Sequence, residues 1–262
     1  VQDLSAFYAA QYQPHHITRS CVGDLDGTTL PQLVGEIFGP WPRGATDPGQ
    51  QLVPVEPPAA SPKTLTLELP VQAAYVMLGF PSVRLADPSL YALDVLASIL
   101  GDGESSRLYE ALVRTRRLAH AIAAWNYTPY DPGVFAIPFR ADPDQVEAAT
   151  QAVLEVVEDI RQRGVTAAEL RKAQRKVSAE YLFGLQTIEQ RSSDLANAMV
   201  ATGDPHFSRR YVAGVQAVTR DEVHAAAQRY CDTARMTTAV IRPPTLTPPS
   251  AAPVAPSRVM AT

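Results

Sequence analysis

The order of its strand-like segments constrains the fold of this chain more than any other feature of the sequence. Residues 118–127 and 133–140 are predicted as strands, and Asp131-Pro132-Gly133 between them is a turn sequence. Strands joined this closely pair antiparallel, because a parallel pair needs a crossover of a dozen or more residues. After residue 45, the other predicted strands cover residues 64–69, 73–80 and 236–241. We therefore expect a mainly antiparallel sheet.

Helix-start signals lie between and after these strands. Asp87-Pro88 combines an N-cap with a proline at the first helical position, and capping boxes are predicted at Asp142–Gln145, Thr166–Glu169 and Thr219–Glu222. Further helices are predicted over residues 106–115 and 187–202. Strands in hairpins rather than regular βαβ units predict an α+β fold, with helices packed on one face of a mainly antiparallel sheet.

The region before the first of these strands is organised differently. Residues 1–45 hold one predicted strand, residues 16–22, between two predicted helices, which are too few elements to close a domain. A proline-rich segment follows and is predicted to be a linker over residues 46–63. The main unit then covers residues 64–243, and the Pro/Ala-rich residues 244–262 are predicted to be a disordered tail.

Composition and charge exclude several classes of function. The 262 residues are 46% hydrophobic and 19% charged, which is enough for a sizeable core, and the formal net charge is -4. An acidic chain without a Lys/Arg-rich run has no expected nucleic-acid partner. No apolar stretch approaches the roughly 18 to 20 residues of a membrane span. Cys21 and Cys231 are predicted to be free, buried thiols, and their spacing leaves a disulfide open.

No catalytic motif is present in the sequence. None of the five histidines stands in H-E-x-x-H or H-x-x-E-H, the spacings that bring two imidazoles onto one helix face to hold zinc. We therefore predict no metal site and no cofactor in this chain. Two pairs of acids, Asp24 with Asp26 and Asp142 with Asp144, are interpreted as capping groups, since each pair flanks a turn or a helix start.

Five segments in order resemble one family of peptidases. The stretch that closes the family's catalytic repeat is matched by FYAAQYQPHHITRSCVGDLD, and the following Phe-Gly-x-Trp by IFGPWP. The best recognised part of the second repeat, with its Leu-Gly-x-Gly-x-x-Ser-Arg-Leu core, is matched by LYALDVLASILGDGESSRLYEALVRTRRLAHAI. The expected order continues with DPGVFAIPFRADPDQVEAA and GVTAAELRKAQRK. From residue 3 to about 243 the chain is thus similar to the pitrilysin/insulinase-type zinc peptidases, including mitochondrial-processing-peptidase-like proteins.

The resemblance implies an architecture of two repeats, of which only one is catalytic. Such peptidases are built from paired α/β repeats that form half of a clamshell around the substrate, with zinc in the first repeat on H-x-x-E-H plus a distant Glu. Residues 1–45 then correspond to the tail end of the catalytic-type repeat, and residues 64–243 to the second, non-catalytic repeat. The implied partners are a peptide or unfolded protein substrate and a catalytic repeat or subunit, which supplies the zinc. This chain alone is expected to be inactive.

The resemblance also indicates substrate-binding residues. Many second repeats carry an Arg and a Tyr, seven positions apart, that hold the substrate backbone, and these positions fall on Val113 and His120. Valine donates no hydrogen bond, and the neighbouring Arg114 would be rotated by ~100° on an α-helix. Substrate contacts are predicted at His120, Arg114 and Arg107, the last within the Ser-Arg-Leu core. Alternatively, Arg114 belongs to a solvated helix end, and His120 is a strand residue that packs or faces solvent.

Three interpretations of the function remain open from sequence. The first is the accessory half of a zinc endopeptidase, which forms the chamber wall and binds extended peptide through an exposed strand edge. The second is an inactive scaffold or assembly subunit, which the missing Arg/Tyr pair favours. The third is an α+β binding domain unrelated to the family. The chain begins at Val1, so we expect a processed or partial chain, and we favour a bacterial periplasm or cell envelope location.

Overall fold

A six-stranded sheet forms the centre of the fold. The computed structural model describes residues 1–41 and 61–244, so most of the predicted linker and nearly all of the predicted tail lie outside the described residues. The strands are β1 (Lys63–Glu68), β2 (Ala74–Pro81), β3 (Ala121–Ile122), β4 (Trp125–Tyr127), β5 (Val134–Ala141) and β6 (Thr237–Arg242). Their order is β1-β6-β2-β5-β3, with β4 also paired to β5. Only β1 and β6 pair in parallel within this sheet, which confirms the predicted mainly antiparallel arrangement.

The two faces of the sheet differ because side chains alternate along each strand. One face carries the apolar residues of β2 and β5 that are buried beneath the helices: Ala74, Val76, Leu78, Phe80, Phe135, Ile137, Phe139 and Ala141. The intervening residues Tyr75 and Met77 point to the opposite face and are exposed. Burying one large apolar side chain stabilises the fold by about 1.5–3 kcal/mol, and a one-residue slip would exchange the faces, so this pattern specifies the register.

Eight α-helices form in the described residues. They are α1 (Gln2–Gln11), α2 (Thr29–Phe38), α3 (Leu90–Gly101), α4 (Val146–Arg163), α5 (Ala167–Phe183), α6 (Ile188–Thr202), α7 (Phe207–Ala217) and α8 (Arg220–Tyr230). The central helix is α3, whose Leu90, Leu93, Leu96 and Leu100 are fully buried and which packs against α5, α7 and α8. The predicted α+β fold, with helices on one face of the sheet, is confirmed.

Two of the four predicted capping sites are confirmed, whereas at Asp87-Pro88 the helix α3 begins only at Leu90, with Ser89 as N-cap and no side-chain cap bond. At Thr166 and Thr219 the hydroxyl accepts a bond from the N–H three residues later, and the Glu carboxylate there accepts a bond from the threonine N–H. A third box, at Thr187, begins α6 and was not predicted. The box predicted at Asp142 is wrong: this residue makes no cap bond, because its carboxylate lies 3.0 Å from Nε2 of His120.

Two predicted strands differ from the structure. Residues 16–22 are not a strand: a 3-10 segment covers Pro14–His16, and residues 17–22 are irregular. No strand of the described chain pairs with them, and an unpaired strand leaves its backbone hydrogen bonds unmade. The strand predicted over residues 118–127 is divided into β3 and β4, because the backbone at Ala124 packs directly against Gly101 at the end of α3.

Two helical predictions are also corrected. The helix predicted over residues 106–115 is a π-helix at Tyr109–Thr115, with bonds such as that from the Arg116 N–H to the Ala111 carbonyl. The helix α7 was not predicted, although its buried residues Phe207, Tyr211 and Val215 recur at a spacing of four. That spacing is typical of the core-facing stripe of a helix, so periodicity could have shown it.

The two cysteines lie in different environments. Both are free, as predicted, but the prediction that both are buried is wrong for Cys21, which is exposed on the irregular segment after the first 3-10 turn. Cys231, at the end of α8, is completely buried. Burial raises the pKa of the Cys231 thiol to about 12, so this thiol stays protonated and unreactive.

Candidate functional site

His120 lies at an edge of the sheet, where the π-helix leads into β3. Its backbone N–H donates to the carbonyl of Arg140 on β5 (2.7 Å), so the chain already runs beside the sheet at this residue. The ring is about half exposed, and Nε2 lies 3.0 Å from a carboxylate oxygen of Asp142. The imidazole is therefore oriented by one carboxylate while it remains open to solvent.

Arg114 lies on the π-helix in a cluster of surface charges. Its guanidinium donates to Glu110 (3.0 Å), and more than half of the side chain is exposed. Arg116 pairs with Glu155 of α4 (2.6 Å), and Arg117 has φ +54°, in the left-handed region that is unfavourable for residues other than glycine. Exposed ion pairs of this kind contribute about 0–1 kcal/mol each, so the cluster stabilises the domain little.

The π-helix changes the meaning of the one-residue offset between Val113 and Arg114. On an α-helix these side chains would be rotated by ~100° from each other. In a π-helix the N–H of each residue bonds to the carbonyl five residues earlier, so each turn holds about one residue more than a turn of an α-helix. Side chains after the extra residue therefore point in the directions that an α-helix would give to residues about one position earlier. Val113 is half-buried against the core, and Arg114 is exposed. The arginine therefore reaches the solvent side at this point of the chain.

Arg107 is enclosed by acceptors of its own chain. Nε and Nη2 donate to the two oxygens of Glu169 (2.6 and 2.9 Å), and Nη1 donates to Asp159 (3.0 Å). Nη2 also donates to the carbonyl of Gly164 (3.2 Å). The hydrogen bonding between Arg107 and Glu169 raises the pKa of Arg107 and lowers the pKa of Glu169 to about 2. A substrate contact at Arg107 would have to compete with these charge-assisted bonds.

The three predicted contacts therefore fall into two groups. His120 and Arg114 both lie on or next to the π-helix, which packs against β3 and α4. Arg107 instead lies between α4 and the start of α5. Within residues 1–41 and 61–244, no three His, Cys, Asp or Glu side chains are arranged to hold a metal ion. None of the described helices has the length and apolar character of a membrane span.

A partly buried polar network, which the sequence analysis missed, joins the sheet to the helices. Asp94 on α3 accepts bonds from the Tyr211 hydroxyl (2.6 Å) and the Asn126 amide (2.8 Å), and Ser82 donates to Asn126 (2.5 Å). Burial raises the pKa of Asp94 to about 6, although both hydrogen bonds act in the opposite direction. The sequence does contain one indication of this network: Asp94 follows Leu90 by four residues on a helix face that is otherwise apolar.

The face of the sheet opposite the helices is mostly apolar, and much of it is exposed in the described part of the chain. An open concavity of 580 Å³ on this face is lined mainly by small and apolar side chains, among them Tyr75, Met77, Ala121, Pro138, Ala239 and Ile241, and also by Arg140. The register with β6 extends this face onto β1 through Leu65 and Leu67, both exposed. An exposed apolar surface of this kind marks an interaction site.

The outer edge of β1 is open. The N–H groups of Lys63 and Leu69 donate toward β6 (3.0 Å each). Because alternate residues of a strand address the same edge, the backbone groups of Thr64, Thr66 and Glu68 point away from β6. No strand of the described residues pairs with that side of β1, and all six of its residues are exposed. The edge therefore offers unpaired donors and acceptors.

Solved structures share this fold. A protease from Helicobacter pylori matches with a TM-score of 0.83 at 22% identity, over 93% of this chain and 59% of that one. A peptidase M16 inactive domain from Pseudomonas fluorescens matches with a TM-score of 0.74 at 18% identity, over 85% of this chain and 53% of that one. At these identities the likeness concerns the fold alone. The chain thus has the α+β fold that these two structures share.

The family follows from the sequence. Residues 1–177 match the family model described as the Peptidase M16 inactive domain, and this chain belongs to that family. A zinc protease of Streptomyces coelicolor is 25% identical over 232 residues, which are 86% of this chain and 50% of that protein. The zinc protease PqqE of Helicobacter pylori is 26% identical over 202 residues, 75% of this chain and 44% of that protein. The chain spans about half the length of these relatives, and its resemblance to zinc peptidases is confirmed.

Proposed function

We propose that this chain is the non-catalytic half of a zinc metallopeptidase, which pairs with a repeat carrying H-x-x-E-H and helps to bind the peptide that this repeat cleaves. Membership of the inactive-domain family carries the proposal. The donor set of this chain does not fit zinc, since its histidines lack the motif and the described residues hold no cluster of ligands. The metal is proposed to be held by the catalytic repeat, upstream in the same polypeptide or in a partner chain.

Two surfaces support a role in holding substrate. The exposed apolar face is suited to form a chamber wall, because unfolded peptides expose apolar side chains that a folded protein hides. The open edge of β1 presents backbone groups of Thr64, Thr66 and Glu68, and an extended peptide can add to such an edge as a further strand. Main-chain bonds of this kind depend little on the sequence of the peptide.

At the other end of the sheet, His120 and Arg114 are proposed to hold the substrate backbone. The Asp142 carboxylate only accepts, so Nε2–H of His120 donates to it, and the other ring nitrogen, Nδ1 of the neutral imidazole, can accept a hydrogen bond from a peptide N–H. The exposed guanidinium of Arg114, on the π-helix that precedes His120, adds donors. Arg107 supports the proposal least, because Glu169 and two other acceptors already engage its donors.

The proposal is tested by purifying the chain alone and co-expressed with the H-x-x-E-H repeat encoded upstream or in the adjacent gene. We expect background cleavage of a fluorogenic peptide and no bound zinc for the chain alone, and zinc with cleavage for the complex. A matched complex whose motif Glu is changed to Gln should bind zinc without cleaving, because the general base is lost. Stoichiometric zinc with cleavage in the isolated chain would contradict the proposal.

A second candidate is an inactive scaffold or assembly subunit. It is favoured by Val113, which packs on the core where many second repeats carry the substrate-holding arginine. The two candidates differ in the response of the complex to His120→Ala and Arg114→Ala. A substrate-holding role raises KM for the peptide, whereas a scaffold role leaves KM unchanged.

A further inference from the structure

The strands present cations but no acid on the face of the sheet opposite the helices. Side chains alternate along each strand, so Arg140 of β5, in register with Tyr75 of β2, shares this face. Lys63 of β1 lies on it as well, two residues before Leu65. Among the residues of the six described strands the only acid is Glu68, which alternates to the other face and lies 3.8 Å from Arg242. The strand residues of this face therefore favour a negatively charged ligand.

The guanidinium of Arg140 has no acidic partner in the part of the chain that the structure describes. Its side chain is exposed, and the next acid along the chain, Asp142, lies instead 3.0 Å from Nε2 of His120. Arg107 and Arg114 differ in this respect, since Glu169 and Glu110 accept bonds from them. Arg140 therefore retains its five N–H donors for a ligand.

The surroundings of Arg140 combine this charge with apolar surface. It lines the 580 Å³ concavity together with Tyr75, Met77 and the small side chain of Ala121. Neighbouring strands lie about 4.8 Å apart, and alternate residues of an extended peptide lie about 6.6 Å apart on the same side. One peptide can therefore place an apolar side chain over β2 and a carboxylate at Arg140 within three residues. Apolar surroundings that exclude water strengthen such an ion pair.

We propose that Arg140 determines specificity by binding a carboxylate of the substrate peptide, so that peptides with a carboxylate close to a large apolar side chain are preferred. A guanidinium can bond to both oxygens of one carboxylate, which an acidic side chain or the C-terminus of the peptide can supply. The Arg140 carbonyl accepts from the His120 N–H (2.7 Å), so a peptide held at His120 passes beside Arg140. This inference rests on the proposed function, which makes the bound peptide a substrate.

The test uses the complex of this chain with the co-expressed H-x-x-E-H repeat and internally quenched peptides with amidated C-termini. Each peptide carries one Glu at a different position of an apolar sequence, and its matched peptide carries Gln there. We expect at least one position at which Glu raises kcat/KM about tenfold over Gln, near 1.4 kcal/mol. The preference should decrease as sodium chloride is added, because salt screens exposed charges. Each Gln peptide is also assayed with a free C-terminus, so that a terminal carboxylate is recognised as the source.

Variants of Arg140 assign the preference to this residue. Arg140→Gln should abolish it, and Arg140→Glu should reverse it, so that a Lys peptide is cleaved faster than the Gln peptide. The matched variant Arg175→Gln, at an exposed position of α5 in the helical layer, should retain the preference for the carboxylate. Each result is a ratio between two peptides cleaved by the same sample, so a smaller folded fraction leaves it unchanged.

The outcomes separate this inference from the proposed function. A complex that cleaves peptides with and without a carboxylate equally well, or that keeps its preference in Arg140→Gln, overturns this inference and leaves the proposed function intact. The same holds if the wild type shows no preference and Arg140→Gln loses the co-purified repeat, since Arg140 then pairs with that repeat. If no complex cleaves any peptide, the proposed function is overturned and this inference with it.

Discussion

Asp94 holds a carboxylate within an apolar layer of helices. Both of its oxygens accept hydrogen bonds, from Tyr211 and Asn126, yet burial raises its pKa from 3.8 to about 6. In the unfolded chain the group titrates near its ordinary pKa. Because the native pKa is the higher one, the contribution of this proton to stability is complete below about pH 4 and is lost as the pH rises through about 6.

The variant Asp94→Asn should remove this pH dependence. The free energy of unfolding of the wild type minus that of the variant should fall by about 3 kcal/mol between about pH 4 and 7, because the amide stays neutral throughout. Urea unfolding of both proteins at a series of pH values measures this difference. Carboxylates with a lowered pKa, such as Glu169, make the fold less stable at low pH. Both proteins contain them, so their contribution cancels when the two free energies of unfolding are subtracted. If the free energies of unfolding of the two proteins change in parallel with pH, the pKa of Asp94 is not raised.

At the level of single residues, the sequence offers candidate substrate contacts but not the polar network around Asp94, for a physical reason. His120 and Arg114 are predicted from the resemblance and stay predictions, and both lie at the surface. Asp94 was missed because an acid on a helix is ordinarily solvated, and only its partners in the fold show that it is partly buried and hydrogen-bonded. Tyr211 lies on a distant helix, and its bond to Asp94 depends on how α3 and α7 pack. Sequence spacing contains no information on that contact.

Among the elements, prediction succeeded where the signal was local. The boxes at Thr166 and Thr219 each involve side chains three residues apart, so the sequence contains the whole interaction. The break between β3 and β4 was missed, because it arises where Ala124 meets Gly101 across the domain. The predicted strand at residues 16–22 failed for a related reason, since a strand exists only with neighbours.

The open edge of β1 leads to a prediction about peptide binding. Thr66→Pro removes a backbone donor that points away from β6, so the sheet should remain intact while strand addition is blocked. We expect binding of fluorescein-labelled, reduced and carboxymethylated α-lactalbumin to weaken by about tenfold, near 1.4 kcal/mol, as measured by fluorescence anisotropy. The matched variant Thr66→Val keeps the N–H and should bind as the wild type does. Equal binding by the proline variant would exclude this edge as the binding site.

At the scale of the whole molecule, the described chain divides into a packed domain and an attached segment. Residues 61–244 contain the sheet, its helical layer and the buried core. The helices α1 and α2 bury none of their residues, and the Ser192 hydroxyl donates to the Ser20 carbonyl (2.9 Å). The stability of the domain should therefore depend little on this segment.

Deletion of residues 1–41 should leave the unfolding of the remaining domain almost unchanged. No buried apolar surface of α1 or α2 is lost, so we expect Tm, followed by circular dichroism, to shift by less than about 2 °C. As a control, Leu78→Ala in the completely buried centre of β2 should cost about 2–5 kcal/mol. A deletion as damaging as Leu78→Ala would mean that the segment belongs to the core.

The pairing of β1 with β6 has a consequence for biosynthesis. The first strand of the domain is β1 and the last is β6, yet β6 lies between β1 and β2. As the polypeptide leaves the ribosome, β4 and β5 can form a hairpin and β2 can pair with β5. In contrast, β1 must wait until translation of the domain is nearly complete. Such long-range closure slows folding and keeps strand edges accessible to chaperones or to aggregation in the meantime. The nascent chain is thus most vulnerable immediately before β6 emerges.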